Sequence, residues 1–225
     1  MPSALVIGAS RGIGLEFVKQ YRALGWTVHA THRAEADRVV LRDLGAMTLK
    51  LDLNDLNDLA GVSWQLDGEH FDVVINNAGV YGPRTSTFRQ LPDNDQFDHV
   101  MRTNVLGPMR LVPVVVPLLK TTGGSFAVIS SRMGSIADAT IGYGLLYRTS
   151  KAALNMVTKL AHEEAQAVGG RAIALHPGWV RTDMGGPNAE VDVEHSVQGM
   201  LAVIDDANAY PGGSFYDYRG QTLSW

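Results

Sequence analysis

Short apolar runs alternate along this chain with longer stretches in which apolar residues recur every three or four positions. The runs Ala4–Ile7, Thr27–Thr31, Ala46–Leu51, Asp72–Asn76, Ser125–Ser130, Ala172–His176 and Ser214–Tyr216 read as strands. Val73-Val74-Ile75 and Phe126-Ala127-Val128-Ile129 are apolar throughout, as strands buried on both faces are. Helical periodicity predicts helices near 12–24, 34–44, 54–66, 94–119, 142–168 and 192–206. This alternation predicts a doubly wound α/β fold, a Rossmann fold: a mostly parallel seven-stranded sheet with helices on both faces and right-handed crossovers. No repeat, low-complexity tract or linker-like break appears, so residues 1–225 read as one domain carrying both cofactor and active site. The irregular stretches Asn77–Asp93 and Gly178–Glu190 follow carboxyl ends of strands, where open α/β sheets bind ligands.

Composition narrows the function classes. The 225 residues are 45% hydrophobic and 19% charged, with a net charge of -4, which gives no pointer to nucleic acid or an anionic membrane. The absence of cysteine removes disulfides and thiolate chemistry and fits a cytoplasmic protein. The seven histidines show no metal-ligand spacing, so no metal is expected. Met1-Pro2-Ser3 runs straight into a strand without the features of a signal peptide. No stretch reaches the roughly 20 apolar residues of a membrane span.

Leu5-Val6-Ile7 leads into Gly8-x-x-x-Gly12-x-Gly14 and then a helix. Glycines admit a sharp turn and a close phosphate, and the helix start offers free N–H groups and a positive dipole end. Gly8, Ser10, Arg11, Gly12, Ile13 and Gly14 are therefore candidate cofactor contacts. An NAD site places a carboxylate at the end of the second strand; here the chain reads Ala30-Thr31-His32-Arg33. Arg33 and Arg11 together suit a 2′-phosphate, which favours NADP(H) over NAD(H). Glu35 and Asp37 lie close enough in sequence to reach a ribose instead. Asp52, beside Leu53 at the end of the third strand, suits an adenine amino group or a helix cap, with Asn54 competing for the cap.

Tyr147 and Lys151 stand four apart on a predicted helix and so share one face. An ammonium beside a phenol stabilises the phenolate and draws its pKa from about 10 toward neutrality, which makes a usable acid or base. Asn104 lies four residues before Pro108, which has no N–H, so the Asn104 carbonyl loses its helical donor. That carbonyl is then free to hold a water relaying a proton toward Lys151, or Pro108 simply bends a long helix, as Pro113 and Pro117 do.

The chain as a whole resembles the compact short-chain dehydrogenase/reductases. Gly8–Gly14, Asn76-Asn77-Ala78-Gly79, Asn104-Val105-x-Gly107, Ile129-Ser130-Ser131, Tyr147/Lys151 and His176-Pro177-Gly178-Trp179-Val180-x-Thr182 follow that family's motifs in order. Ser130–Ser135, His176–Pro187 and Gly213–Trp225 look most like its C-factor and small carbonyl reductase subgroup. The resemblance implies catalytic roles for Asn104, Ser131, Tyr147 and Lys151. It implies cofactor contacts from Asn77, Ala78, Gly79, Tyr147, Lys151, Pro177, Gly178, Val180 and Thr182. Tyr147 would protonate the substrate oxygen, Ser131 would hold it, and Lys151 would also bind ribose hydroxyls. The family's usual count from Ser to Tyr lands on Gly134, so Ser130 and Ser135 stay as lesser candidates and Ser135–Gly144 would be long.

Tyr81, Met133, Tyr143, Trp179 and Met184 are candidate substrate-pocket residues, and any of them is equally a core residue. They suit a small aldehyde, ketone or quinone, and a short loop after Thr182 leaves the pocket open. The leading expectation is an NADP-dependent carbonyl reductase. A C-factor-like signalling or sensor protein with little turnover, or an NAD-dependent alcohol dehydrogenase, are the alternatives. The family resemblance also suggests a homodimer or homotetramer through the two long helices. Their apolar residues Leu111, Val115, Leu154, Val157 and Leu160 would serve a partner or their own sheet equally well.

Overall fold

The computed structural model describes every residue except Ile141, which falls within the Ser135–Gly144 segment and lies outside the described residues. The elements are β1 (Ser3–Ile7), α1 (Gly12–Ala23), β2 (Thr27–His32), α2 (Glu35–Asp43), β3 (Met47–Lys50), α3 (Leu56–Gln65), β4 (Val73–Asn76), α4 (Asn94–Met101), α5 (Gly107–Val115), β5 (Ser125–Ile129), α6 (Leu145–Ala167), β6 (Arg171–His176), α7 (Val193–Asp205) and β7 (Phe215–Asp217). The strands lie side by side as β3-β2-β1-β4-β5-β6-β7, every neighbouring pair parallel.

The pleat explains why both faces are covered. Ala4 and Val6 of β1 join a core with Phe17 and Tyr21 of α1, Leu41 of α2 and Met200 of α7. Leu5 and Ile7 join the opposite core with Val62 of α3, Leu111 and Val115 of α5, and Leu154 of α6. Each large apolar side chain removed from water contributes about 1.5–3 kcal/mol. The chain runs outward from β1 through β2 to β3, then returns to β4 on the other side of β1. The loops leaving β1 and β4 therefore part in opposite directions and open a crevice at the carboxyl end of the sheet.

The single helix expected at 94–119 is a succession of helical turns: α4, a π-helical turn over Arg102–Leu106, α5, and a 3₁₀ turn over Val116–Leu118. In the π turn the Gly107 N–H donates to the Arg102 carbonyl, and the backbone stays in the right-handed helical region on either side. The missing N–H of Pro108 is thus accommodated by a widened turn rather than a sharp break. Helix α6 starts at Leu145 because Gly144 takes the left-handed conformation, with φ of +67°. Asp55 caps α3, its side chain accepting the Asn57 N–H at 2.8 Å, so neither Asp52 nor Asn54 is the cap.

Of the residues expected on an oligomer face, Leu111, Val115 and Leu154 are buried and join the core on their own sheet, Val157 is buried, and Leu160 is exposed. Among the described residues no helix is long and apolar enough to cross a membrane, and no group of three metal-ligating side chains occurs.

Candidate active site

The crevice widens into a cavity of about 420 Å³. Its floor is the β1–α1 loop, with Gly8, Ser10, Arg11, Gly12 and Ile13. Thr31, His32 and Arg33 line it from the end of β2, and Leu51, Asp52 and Leu53 from the end of β3. Asn77, Ala78, Gly79 and Val80 follow β4; Tyr147 and Lys151 project from α6; Pro177, Thr182, Asp183 and Met184 close the far side.

Gly8 has φ of +75°, and a Cβ there would lie 2.8 Å from the Ala78 nitrogen, so only glycine fits. Thr31 Oγ1 accepts the Gly8 N–H at 3.0 Å and Asn77 Nδ2 donates to the Gly8 carbonyl at 2.9 Å, which pins the loop from both sides. Arg11 is the N-cap of α1, yet no side chain caps that helix and its first turn carries no acid. Its leading N–H groups therefore face the cavity as an anion cradle. A dinucleotide's pyrophosphate fits this donor set.

Gly14, expected as a cofactor contact, does not line the cavity. Its absent Cβ would lie 2.1 Å from the Gly8 carbonyl oxygen and 2.7 Å from Asn77 Nδ2, so the residue lets helix and loop pack together. Gly14→Ala is expected to cost about 1–3 kcal/mol of stability in denaturant unfolding; an unchanged midpoint would show that the loop yields.

Arg33, exposed, and Asp52 both line the cavity, from the ends of β2 and β3. Asp52 Oδ1 accepts the Asn54 N–H at 2.9 Å, which leaves its other oxygen for a ligand. Glu35 is engaged by Arg38 at 2.5 Å. Arg11 pairs with Asp183 at 3.6 Å, both side chains largely exposed, so that pair holds little energy.

At the inner end Tyr147 and Lys151 share the buried face of α6, 8% and 4% exposed. Lys151 Nζ donates to the Ile129 carbonyl at 2.9 Å and lies 5.7 Å from the Tyr147 ring centre. Burial lowers the Lys151 pKa from 10.5 to about 8. Burial also raises the Tyr147 phenol well above its ordinary value; a hydrogen-bonding interaction with Ser131 opposes the rise and Tyr81 adds to it. The expected fall toward neutrality is therefore not met within the protein's own groups: desolvation outweighs any help from Lys151.

Ser131 does not itself line the cavity; its Oγ accepts the Met133 N–H at 3.2 Å, and its hydroxyl opposes the rise that burial imposes on the Tyr147 phenol. The rival serines are committed elsewhere. Ser130 lines the wall, yet its hydroxyl donates to Asn155 Oδ1 at 2.5 Å. Ser135 Oγ donates to the Trp225 carbonyl at 3.2 Å and accepts the Asp138 N–H. Asn104 is fully buried behind the wall. Its side chain accepts the Val80 N–H at 2.8 Å, donates to the Val80 carbonyl at 2.8 Å, and donates to Ser150 Oγ at 3.0 Å. It thus fastens the loop after β4 to α6.

Other expected residues stand outside the cavity. Gly178, with φ of +86°, turns the chain against the Tyr218 ring. Val180 is buried, bridged to Val191. Tyr81 stacks on Tyr147, centroids 4.3 Å apart and planes 15° apart, and its hydroxyl reaches Met133 Sδ at 3.8 Å. Tyr143 and Trp179 are exposed, and Trp179 Nε1 donates to the Gly185 carbonyl at 2.9 Å. Of the five candidate pocket residues only Met184 lines the cavity. Sequence reading missed Ile7, Thr31, His32, Leu51, Val80, Thr103, Ile129 and Asp183 as wall residues, while Ser130, a lesser candidate, does line the wall. Most of these sit one or two positions from an expected contact; Thr103, beside Asn104, comes from the π turn and carried no signal of its own.

The sequence pattern of the short chain dehydrogenase family matches residues 2–192. The C-signal protein of Myxococcus xanthus is 43% identical over 157 residues, covering 68% of this chain and 92% of that protein. The carbonyl reductase Sniffer of D. melanogaster superposes with a TM-score of 0.91 at 30% identity, covering 100% of both chains. The NADPH-bound carbonyl reductase from chicken fatty liver gives a TM-score of 0.86 at 32% identity, covering 100% of this chain and 99% of that one. The chain therefore belongs to the short-chain dehydrogenase/reductase family of oxidoreductases, in the part of it that resembles C-signal and the carbonyl reductases.

Proposed function

We propose that this protein is an NADP(H)-dependent carbonyl reductase that reduces a small aldehyde, ketone or quinone. The observation that carries the reading is the inner end of the cavity: a buried tyrosine, stacked by Tyr81, with a buried lysine one turn along the helix whose Nζ lies 5.7 Å from the Tyr147 ring centre. The nicotinamide supplies hydride when bound. Tyr147 donates a proton to the substrate oxygen. Ser131 donates a hydrogen bond to that same oxygen and stabilises its developing charge. Lys151 provides positive charge beneath Tyr147 and a donor for ribose hydroxyls, and Asn104 holds Val80 and α6 in register.

For the cofactor, Gly8, Gly12 and the start of α1 would hold the pyrophosphate, and Arg33 with Arg11 the 2′-phosphate. Carbonyl reductases with NADP or NADPH bound are among the similar structures, from chicken fatty liver and Pseudomonas aeruginosa PAO1. Titration with NADPH and NADH is expected to show tighter NADPH binding, and Arg33→Ala is expected to weaken NADPH by about tenfold while sparing NADH. Equal affinities in the wild type would remove the 2′-phosphate assignment and favour an NAD-dependent dehydrogenase.

The likeness to C-signal supports a second reading, a cofactor-binding signalling protein with little turnover. Carbonyl turnover that disappears with the Tyr147 hydroxyl would exclude it.

A further inference from the structure

Two arginines that the proposed hydride chemistry does not use lie close to cavity residues, Arg84 through its bond to the carbonyl of the wall residue Met184 and Arg148 as the chain neighbour of Tyr147. Arg84, exposed on the loop after β4, places its guanidinium carbon 5.0 Å from the Tyr81 ring centre. Tyr81 in turn stacks on Tyr147 at 4.3 Å. The two spacings, 5.0 and 4.3 Å, bound the distance from the Arg84 guanidinium to the Tyr147 ring at about 9 Å. Arg148, the residue after Tyr147, lies 5.2 Å from the Tyr143 ring centre, and its Nε donates to the Tyr143 carbonyl at 2.9 Å. Both guanidiniums act on the Tyr81 phenol, opposing the rise that burial imposes on its pKa.

Neither arginine has a carboxylate within ion-pair distance among the described residues. Asp183 is the nearest acid in sequence to Met184, whose carbonyl accepts from Arg84 Nη2 at 2.5 Å, but Asp183 is turned to Arg11. Arg84 spends one N–H on that carbonyl and its face on Tyr81. The remaining N–H groups of its planar fork match a carboxylate, which an ammonium would not do in the same way. A cationic, aromatic rim on a chain of net charge -4 is a local feature and does not follow from overall composition.

We infer that the carbonyl substrate carries a carboxylate, held at the rim by Arg84 with Arg148 behind it, while its carbonyl sits at Tyr147. This rests on the reductase reading above and adds the substrate class: an oxo acid whose carboxylate is separated from the carbonyl by a flat or extended spacer. Tyr81 would lie along that spacer.

The test compares 4-formylbenzoate with its uncharged methyl ester, NADPH being supplied. The wild type is expected to prefer the acid by about tenfold in kcat/KM, the scale of one exposed charge-assisted contact. Arg84→Gln is expected to bring the ratio close to one, and Arg148→Gln to lower it partway. Added salt should shrink the wild-type preference. A wild-type ratio at or below one, or one that Arg84→Gln leaves unchanged, overturns the inference. Should the wild type reduce neither aldehyde nor any member of a panel of ketones and quinones, the reductase reading falls. Calorimetry with 4-(hydroxymethyl)benzoate and its methyl ester then decides the anion site separately: tighter binding of the acid that is lost in Arg84→Gln upholds it, and equal binding of the two overturns it.

Discussion

Tyr147→Phe is expected to lower kcat/KM for carbonyl reduction by about 10³-fold, roughly 4 kcal/mol of transition-state stabilisation. The substitution removes one oxygen from a ring that is almost wholly buried and stacked under Tyr81. The ring itself stays, so packing is preserved and stability should move by no more than about 1 kcal/mol. Ser131 keeps its bond from the Met133 N–H. Steady-state kinetics together with thermal unfolding check this. A variant that folds normally and keeps a tenth or more of the activity would reduce Tyr147 to a packing residue and move the proton donor elsewhere.

Lys151→Met is expected to separate stability from activity. Burial lowers this lysine's pKa from 10.5 to about 8. The unfolded chain keeps the proton up to its ordinary pKa, whereas the folded chain releases it near the lower value. Between the two values the unfolded state binds more protons, so the fold gains stability as pH rises through that window. Below about pH 8 the buried ammonium carries its full cost, on the order of a few kcal/mol. Methionine retains the aliphatic stem and removes the charge, at the expense of the hydrogen bond to the Ile129 carbonyl. The variant should therefore be more stable than the wild type at pH 7, by about 1–3 kcal/mol. The two curves should converge as pH approaches the ordinary lysine value. Turnover should fall by about 10²–10³-fold through loss of the charge beneath Tyr147. Denaturant unfolding across pH tests the first part, and a variant less stable than the wild type at pH 7 would show that the Ile129 contact outweighs desolvation.

The strain between these two results has a structural cause. Lys151 is held in a place where its own fold disfavours its charge, with the Gly79 Cα facing its Nζ. A Cβ on Gly79 would sit 3.5 Å from that nitrogen and 3.3 Å from Asn104 Oδ1. The Asn-Asn-Ala-Gly turn and the Asn104 side chain thus shape the space around the ammonium. Stability given up at such a position is the usual companion of function.

Order and type of the elements could be read from the chain because apolar periodicity is a local property, and each of the seven expected strands has a counterpart in the sheet. The glycine loop was readable for the same reason: Gly8 and Gly12 answer to backbone conformation within a few residues. So was the shared face of Tyr147 and Lys151, which needs only a helix. Three matters depend on residues distant in sequence. Tyr147's proton affinity is set by burial beneath Tyr81, from another loop, and desolvation is a property of the surroundings and not of the pair. The engagement of the Ser130 and Ser135 hydroxyls rests on Asn155 and the Trp225 carbonyl, which take them up. The removal of Gly14, Gly178 and Val180 from the cavity wall, and of Tyr81 from the pocket to the top of Tyr147, follows from packing against Asn77, Tyr218, Val191 and α6. Spacing along a chain specifies which side chains share a face; which of them meet water, a partner or a ligand is decided by what the other elements bring against that face.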